Sequence, residues 1–192
     1  MQLAARLDGV SVEDYLASEE GSEVKHEYVS GALYAMAGAT KEHNQIAGNI
    51  YAAVRSALRG GPCRAFFADV KVRLKIMDED VFYYPDVLVG CDPRDTHAHY
   101  LVFPKVIFEV LSRATEKLDR REKKWNYRTI ETLEEYVLVA QDRIEVTAFR
   151  RASGWQPEVV SKLGQEIEIK SLRLSLPVSA IYEEVGWVAS VE

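Results

Sequence analysis

A chain of 192 residues suits one domain with a full core, and 47% hydrophobic with 28% charged residues is a globular composition, not a disordered one. The formal net charge of -6 argues against a general nucleic-acid coat, which needs a basic surface to neutralise phosphate, but leaves a local basic patch open. Cys63 and Cys91, the 2 cysteines, make no disulfide framework and no CxxC pair. Met1–Val10 lacks the apolar core of a signal peptide, and no run approaches the ~20 apolar residues of a membrane span, so a reducing cytoplasm is the expected location.

In chain order, Ser11 with Asp14 three residues on predicts a helix start, and a short helix to about Ser18 follows. Val24 to Met36 is read as a hairpin turning at Ser30-Gly31. Ile46, Ile50, Val54 and Leu58 recur every four residues, which predicts a helix over 43–58 stopped by Gly60-Gly61. A strand is expected over 64–76, a turn at Met77–Asp80, and two strands at Phe82–Val89 and Val106–Leu111 across a polar loop. A charged helix over about 115–128 follows, then strands at Tyr136–Ala140 and Ile144–Arg150. The tail holds a β segment near 166–176, Pro177 and a short helix. There is no repeat and no linker-like tract. The expectation is one domain over 1–192, with its core at about 24–150 and an α/β (α+β) layout on a mixed sheet. The helix between the Glu109 and Tyr136 strands suggests a crossover joining parallel neighbours.

Two acids stand out. Asp86 and Glu109 each sit inside an apolar, strand-like run, and ionised carboxylates are seldom buried without a partner. If the two strands are neighbours, their carboxylates can lie close enough to share a divalent ion. Mg2+ takes oxygen ligands, often one or two carboxylates completed by water and phosphate. Each acid also has a plainer reading. Asp86, behind Pro85, can satisfy backbone amides at a strand edge. Glu109 can form a structural pair with an arginine.

The following helix is rich in cations: Arg113, Lys117, Arg120, Arg121, Lys123, Lys124 and Arg128. Projected at ~100° per residue, Lys117, Arg121, Lys124 and Arg128 form a basic ridge. Asp119, Lys123 and Tyr127 form a second row, with Asp119 placed to hold Lys123. Leu118 and Trp125 are expected to anchor the helix to the sheet. The ridge is a candidate nucleic-acid contact or simply a solvated face.

Pro85-Asp86, Glu109-Val110-Leu111-Ser112, Asp119-x-x-x-Lys123-x-x-x-Tyr127 and Glu135-Tyr136-Val137-Leu138-Val139, in that order, resemble the Uma-two family of the PD-(D/E)XK nuclease superfamily. Glu27-Tyr28-Val29-Ser30-Gly31 and His43 at a helix start are also similar, so the likeness runs over roughly 12–181. It implies a restriction-endonuclease-like core and a Mg2+-dependent endonuclease acting on nucleic acid, DNA before RNA, with Mn2+ able to substitute. Asp86 and Glu109 would be metal ligands, the Val110 carbonyl a third, and Glu27 a further acid. His43 would touch substrate or a bound water. The chain departs from the superfamily at Leu111, where a lysine normally stands two residues after the second acid; Lys123, from the next helix, would take its place. A homodimer that cuts two strands is the expected assembly. The alternatives are a catalytically inactive nucleic-acid-binding or regulatory module on the same fold, motivated by Leu111 and the acidic charge, and a toxin-like or mobile-element nuclease acting on RNA. His97-x-His99 lacks further ligands at zinc spacing, Lys41-Glu42-His43 is not HExxH, and there is no glycine-rich phosphate loop.

Overall fold

The computed structural model describes residues 6–7, 9–112 and 119–188, without the side chains of 6–7 and 119–120. Its first half follows local signals closely. Helix α1, Val12–Glu19, is capped by Ser11, whose hydroxyl accepts from the Asp14 N–H. Strands β2, His26–Val29, and β3, Ala32–Ala35, form the expected hairpin. Ser30 and Gly31 both take positive φ, as a two-residue primed turn requires. β1, Arg6–Leu7, adds to the outer edge of β3. Helix α2, Lys41–Ala57, starts on a Thr40 cap and buries Ile46, Ala47, Ile50 and Val54.

Two expected strands are each split, and the splits divide the chain between two sheets. The run over 64–76 breaks into β4, Arg64–Phe67, and β5, Lys71–Ile76, at Ala68, which holds a left-handed φ of 57°. After a turn at Met77 and Asp78, the run carrying Asp86 breaks into β6, Glu79–Tyr83, and β7, Val87–Gly90. Tyr84-Pro85-Asp86 crosses between them, so Asp86 sits in the crossing and does not share a strand face with Tyr84 and Leu88. Pro85 cannot donate to a ladder, which ends pairing there.

The remaining strands are β8 (Tyr100–Leu101), β9 (Pro104–Leu111), β10 (Glu135–Ala140), β11 (Val146–Arg150), β12 (Pro157–Val160), β13 (Glu166–Ile169) and β14 (Leu174–Pro177). One six-stranded sheet has the order β1-β3-β2-β6-β5-β8, the other β12-β11-β10-β9-β7-β4, and β13-β14 pair alone. Both large sheets are mixed: β9 and β10 run parallel, as the crossover suggested, and so do β5 and β8. The fold is therefore α+β, with mixed sheets flanked by helices.

The second sheet buries both faces, which is why its strands read as unbroken apolar runs. On one face Val87, Val89, Val106, Phe108 and Val110 pack against α2 and against Ile167, Ile169, Leu176 and Tyr182, so the core continues past Arg150 into the C-terminal segment. On the other face Leu88, Ile107, Leu111, Tyr136 and Leu138 pack with Tyr83 and Tyr127. Helix α4, Val178–Ile181, closes the first face. Cys63 and Cys91, one position beyond the Arg64–Gly90 pair of β4 and β7, are joined by a disulfide. Among the described residues no helix is long and apolar enough to cross a membrane.

Residues 113–118 lie outside the described structure, and with them the expected start of the charged helix, including Lys117 and Leu118. The segment resumes as a π-helical turn, Asp119–Lys123, followed by α3, Lys124–Tyr127. Trp125 does not anchor it: the ring is 62% exposed, whereas Lys123 and Tyr127 are buried. Rows projected at α-helical pitch lose phase through a π turn, which closes i to i+5 bonds. The inward face is the one whose polar groups find partners among the acids below.

Candidate functional site

The site forms where the two sheets meet. The antiparallel register of β7 and β9 pairs Val87 with Phe108, and one step further it sets Asp86 opposite Glu109. The two acids are neighbours, as expected, although Asp86 lies just outside its strand. A second step sets Pro85 opposite Val110. Pro85 has no N–H, so it cannot complete the ladder to the Val110 carbonyl. The Val110 N–H, which also loses its ladder partner there, donates instead to Asp86 Oδ2 at 2.7 Å. Within a strand the N–H and C=O of one residue leave on the same side. The Val110 carbonyl therefore faces the edge that Asp86 occupies. The plainer reading of Asp86 as an acceptor for a backbone amide thus describes one of its oxygens.

Glu109 is 4% exposed and Glu27, from β2 in the other sheet, 8%. Between them lies the Lys123 ammonium, 2.8 Å from Glu27 Oε1 and 3.5 Å from Glu109 Oε1. The Tyr127 hydroxyl donates to the same Glu109 oxygen at 3.0 Å, and the Tyr84 N–H donates to Glu27 Oε1 at 3.4 Å. Lys123 and Tyr127, four residues apart, reach one carboxylate together. The ammonium also lies over the Tyr83 ring, 5.1 Å from its centroid, and Asn126 donates to the Tyr83 hydroxyl. Leu111, where the superfamily lysine would stand, is buried among apolar side chains. The lysine from the following turn reaches Glu109 nonetheless.

His43 stands in the first turn of α2, its N–H bound to the Thr40 hydroxyl, and its Nε2 is 3.4 Å from Asp86 Oδ2. The structure thus brings together Glu27, His43, Asp86, Glu109, Val110 and Lys123. The basic ridge is not part of this cluster. Arg121 is exposed, the Lys124 ammonium lies 4.7 Å from the centroid of the Phe149 ring, and Arg128 stacks on Trp125. Lys117 and the Asp119 side chain, expected to steady Lys123, lie outside the described residues. Tyr127, Tyr83 and Asn126 are the supporting groups that sequence reasoning did not select. The spacing of Tyr127 from Lys123 was the available signal for the first.

Burial pushes the Tyr83 phenol up to about 12, and burial with the Glu109 charge nearby pushes Tyr127 well above the usual tyrosine range. Both phenols stay protonated at neutral pH, Tyr127 donating to Glu109 and Tyr83 accepting from Asn126.

Among the described residues no three His, Cys, Asp or Glu side chains are grouped to hold a metal ion. A donor set of two carboxylates and one carbonyl, completed by water, is nevertheless of the kind Mg2+ takes, and the backbone edge at Val110 and the Asp86 carboxylate lie together. The donor chemistry fits a hard divalent cation.

The paired sheets, the acids at their junction and the flanking helices are those of a restriction-endonuclease-like fold. A crystal structure of a "putative nuclease belonging to DUF820" from Anabaena variabilis ATCC 29413 superposes with a TM-score of 0.76, covering 92% of this chain and 99% of that one at 16% identity. The family model described as "Putative restriction endonuclease", Uma2, matches residues 12–179, and the chain belongs to this family. Two proteins of Synechocystis sp. PCC 6803 are similar over nearly their whole length. "Uncharacterized protein slr1290" is 33% identical over 93% of this chain and 94% of its own, and "Uncharacterized protein sll1609" 28% over 88% and 97%.

Proposed function

We propose that the protein is a metal-dependent endonuclease that hydrolyses phosphodiester bonds of nucleic acid, DNA before RNA. The observation that carries this reading is the buried convergence of Lys123 on Glu27 and Glu109, beside Asp86, in a chain of this family. Asp86, Glu109 and the Val110 carbonyl would hold Mg2+ or Mn2+. When bound, such an ion activates water and offsets charge on the phosphate. Lys123 orients the attacking water or a phosphate oxygen and stabilises the negative charge that develops there. Glu27 keeps the ammonium in place from the neighbouring sheet, and Tyr127 orients the Glu109 carboxylate. His43, from α2, approaches the same Asp86 oxygen that accepts from the Val110 N–H and so helps orient that carboxylate. A homodimer would present two such centres to opposite strands.

The test is conversion of supercoiled plasmid to nicked or linear forms with Mg2+ or Mn2+, by wild type and Asp86→Ala. Wild type cuts and the variant is at least ~100-fold slower, because losing an ion's several kcal/mol of charge stabilisation costs tenfold per 1.4 kcal/mol. Equal cutting by both proteins would refute the assignment. Leu111 favours one other reading, a non-catalytic nucleic-acid-binding module. Titration calorimetry with Mn2+ separates the two, since the module binds no ion and the enzyme loses binding in Glu109→Ala.

A further inference from the structure

The chain has 3 tryptophans, and one of them is presented outward in an unusual way. Trp155 is buried and Trp187 half-buried, but Trp125 is 62% exposed on α3. A single exposed apolar side chain is ordinary, so what distinguishes Trp125 is how its ring is held. The Arg128 guanidinium lies 4.5 Å from its ring centroid and 5.7 Å from that of Trp155, and Arg151 lies 5.3 Å from the Trp155 centroid. Arg151, Trp155, Arg128 and Trp125 thus form an alternating row of guanidiniums and indoles. Arg151 fixes one end by donating to the Ile130 and Leu133 carbonyls. The stack ends in an open aromatic face.

Trp125 is two residues from Lys123 and so points to the other side of the helix from the Glu109 carboxylate. Along the chain it is flanked by Arg121 and Glu122, both exposed, and by Lys124, and Arg128 is in contact with its ring. Beside Lys124 a groove of about 450 Å3 opens over Glu145, Thr147, Phe149, Pro157 and Val159. Val159 is itself well exposed.

We infer that Trp125 is a base-stacking platform and that this face binds an unpaired, single-stranded stretch of nucleic acid flanking the site of cleavage. The inference rests on the nuclease reading above and adds a substrate class to it. The physical grounds are three. A nucleobase has an apolar face that an indole matches, whatever the base. A guanidinium clamped on the far side of the ring preorganises it, so little side-chain freedom is lost on binding. The flanking cations supply phosphate contacts on a chain that is acidic overall. Bases in a duplex are already stacked on each other, so only an unpaired segment can use the ring. A second copy of this chain is the competing occupant; it offers no nucleobase face for the indole, and the test below separates the two.

The test is fluorescence anisotropy of a labelled single-stranded DNA oligonucleotide and of its duplex, in EDTA so that nothing is cut. The proteins are wild type, Trp125→Ala and Trp125→Phe, each with its sedimentation profile and unfolding midpoint. Trp125→Ala, an exposed position, should keep the wild-type midpoint and lose ~10-fold or more in single-strand affinity, the scale of one base–aromatic stack. Trp125→Phe should retain most of the affinity, and the duplex should respond to neither change. Unchanged single-strand affinity in Trp125→Ala overturns the inference, as does an equal loss for the duplex. A dimer that dissociates in Trp125→Ala with oligonucleotide binding intact assigns the face to self-association and also overturns it. In each of these cases plasmid cutting by the same proteins reports separately on the nuclease reading. Absence of both cutting and binding by wild type would sink the two together.

Discussion

Replacing Lys123 by Met tests the central arrangement, because the substitution keeps the length and apolar stem of the side chain and deletes only the charge. Lys123, Glu27 and Glu109 are all nearly buried, with side chains 6%, 10% and 6% exposed. Removing one partner of a buried ion pair costs ~3–5 kcal/mol, chiefly because the remaining charge is stranded. Here two carboxylates lose a shared cation, but each keeps a donor: Tyr84 N–H on Glu27 and the Tyr127 hydroxyl on Glu109. The low end, about 3 kcal/mol, is therefore expected. For a chain of this size that lowers the unfolding midpoint by ~6–12 °C.

Two further measurements make the reasoning specific. Lys123→Met/Glu27→Gln removes one of the stranded charges and should recover about half of the loss, since the cost comes from uncompensated charge and not from lost packing. Adding Mn2+ should raise the midpoint of Lys123→Met more than that of wild type, where the ammonium already offsets the Glu109 charge. Calorimetric unfolding of the three proteins with and without Mn2+ reads both effects. A Lys123→Met protein as stable as wild type, or a double variant less stable than the single one, would refute the shared-cation arrangement.

Two other outcomes follow from the same geometry. Tyr127→Phe removes the hydroxyl that donates to Glu109 at 3.0 Å. Hydrogen bonds to charged groups contribute ~1.5–3 kcal/mol, so chemical denaturation should show a loss of that size. Support groups of this kind also set ligand orientation, so calorimetric Mn2+ affinity should fall ~10–100-fold; a stability loss with unchanged Mn2+ affinity would take Tyr127 out of the metal site. Tyr83 is pushed by burial from its ordinary value of 10.0 up to about 12. Above the unfolded value the unfolded chain releases this proton while the folded chain holds it. The contribution is thus full below pH 10 and is lost as pH rises through about 12. Within that window Tyr83→Phe should flatten the fall of stability with pH by up to ~1.4 kcal/mol per unit, and identical slopes would overturn the assignment.

What was legible in the sequence was local. Ser11, Ser30-Gly31, Thr40 and the four-residue spacing in α2 act through neighbouring backbone, and each did in the structure what its type suggests. What was not legible was which sheet a run joins. Alternation over 64–76 is clear only from Val70 on, and Ala68, at the end of an apolar run, has no preference for the left-handed φ it adopts, so period alone could not find the break. Pro85 was the visible signal for the second break. The inward face of the charged helix was misread because a π turn changes the angular step and because two buried acids recruit Lys123 inward while Trp125 turns out.

Glu135 shows why a buried acid in a strand is not by itself a site. It opens the apolar strand β10, whereas Glu109 lies within β9, and it is 2% exposed. Arg150 Nε lies 3.3 Å from its Oε2, and the Ser171 N–H donates to its Oε1 at 2.6 Å. Arg150 in turn pairs with Glu158. That is the structural arginine pair weighed as the plain alternative for Glu109, realised at the other acid. The two differ in what supplies the cation. Arg150 is on the adjacent strand of the same sheet, in direct register with Glu135, so its place follows from the ladder. Lys123 comes from a turn outside the sheet and is shared with an acid from the other sheet. The Lys123 ammonium contacts two carboxylates from different sheets and can move away from one of them without breaking a ladder, whereas Arg150 cannot leave without stranding the buried Glu135. On the metal reading proposed above, a lysine carried by a separate turn is a partner that Glu109 can yield to the ion without disturbing the pairing of β9.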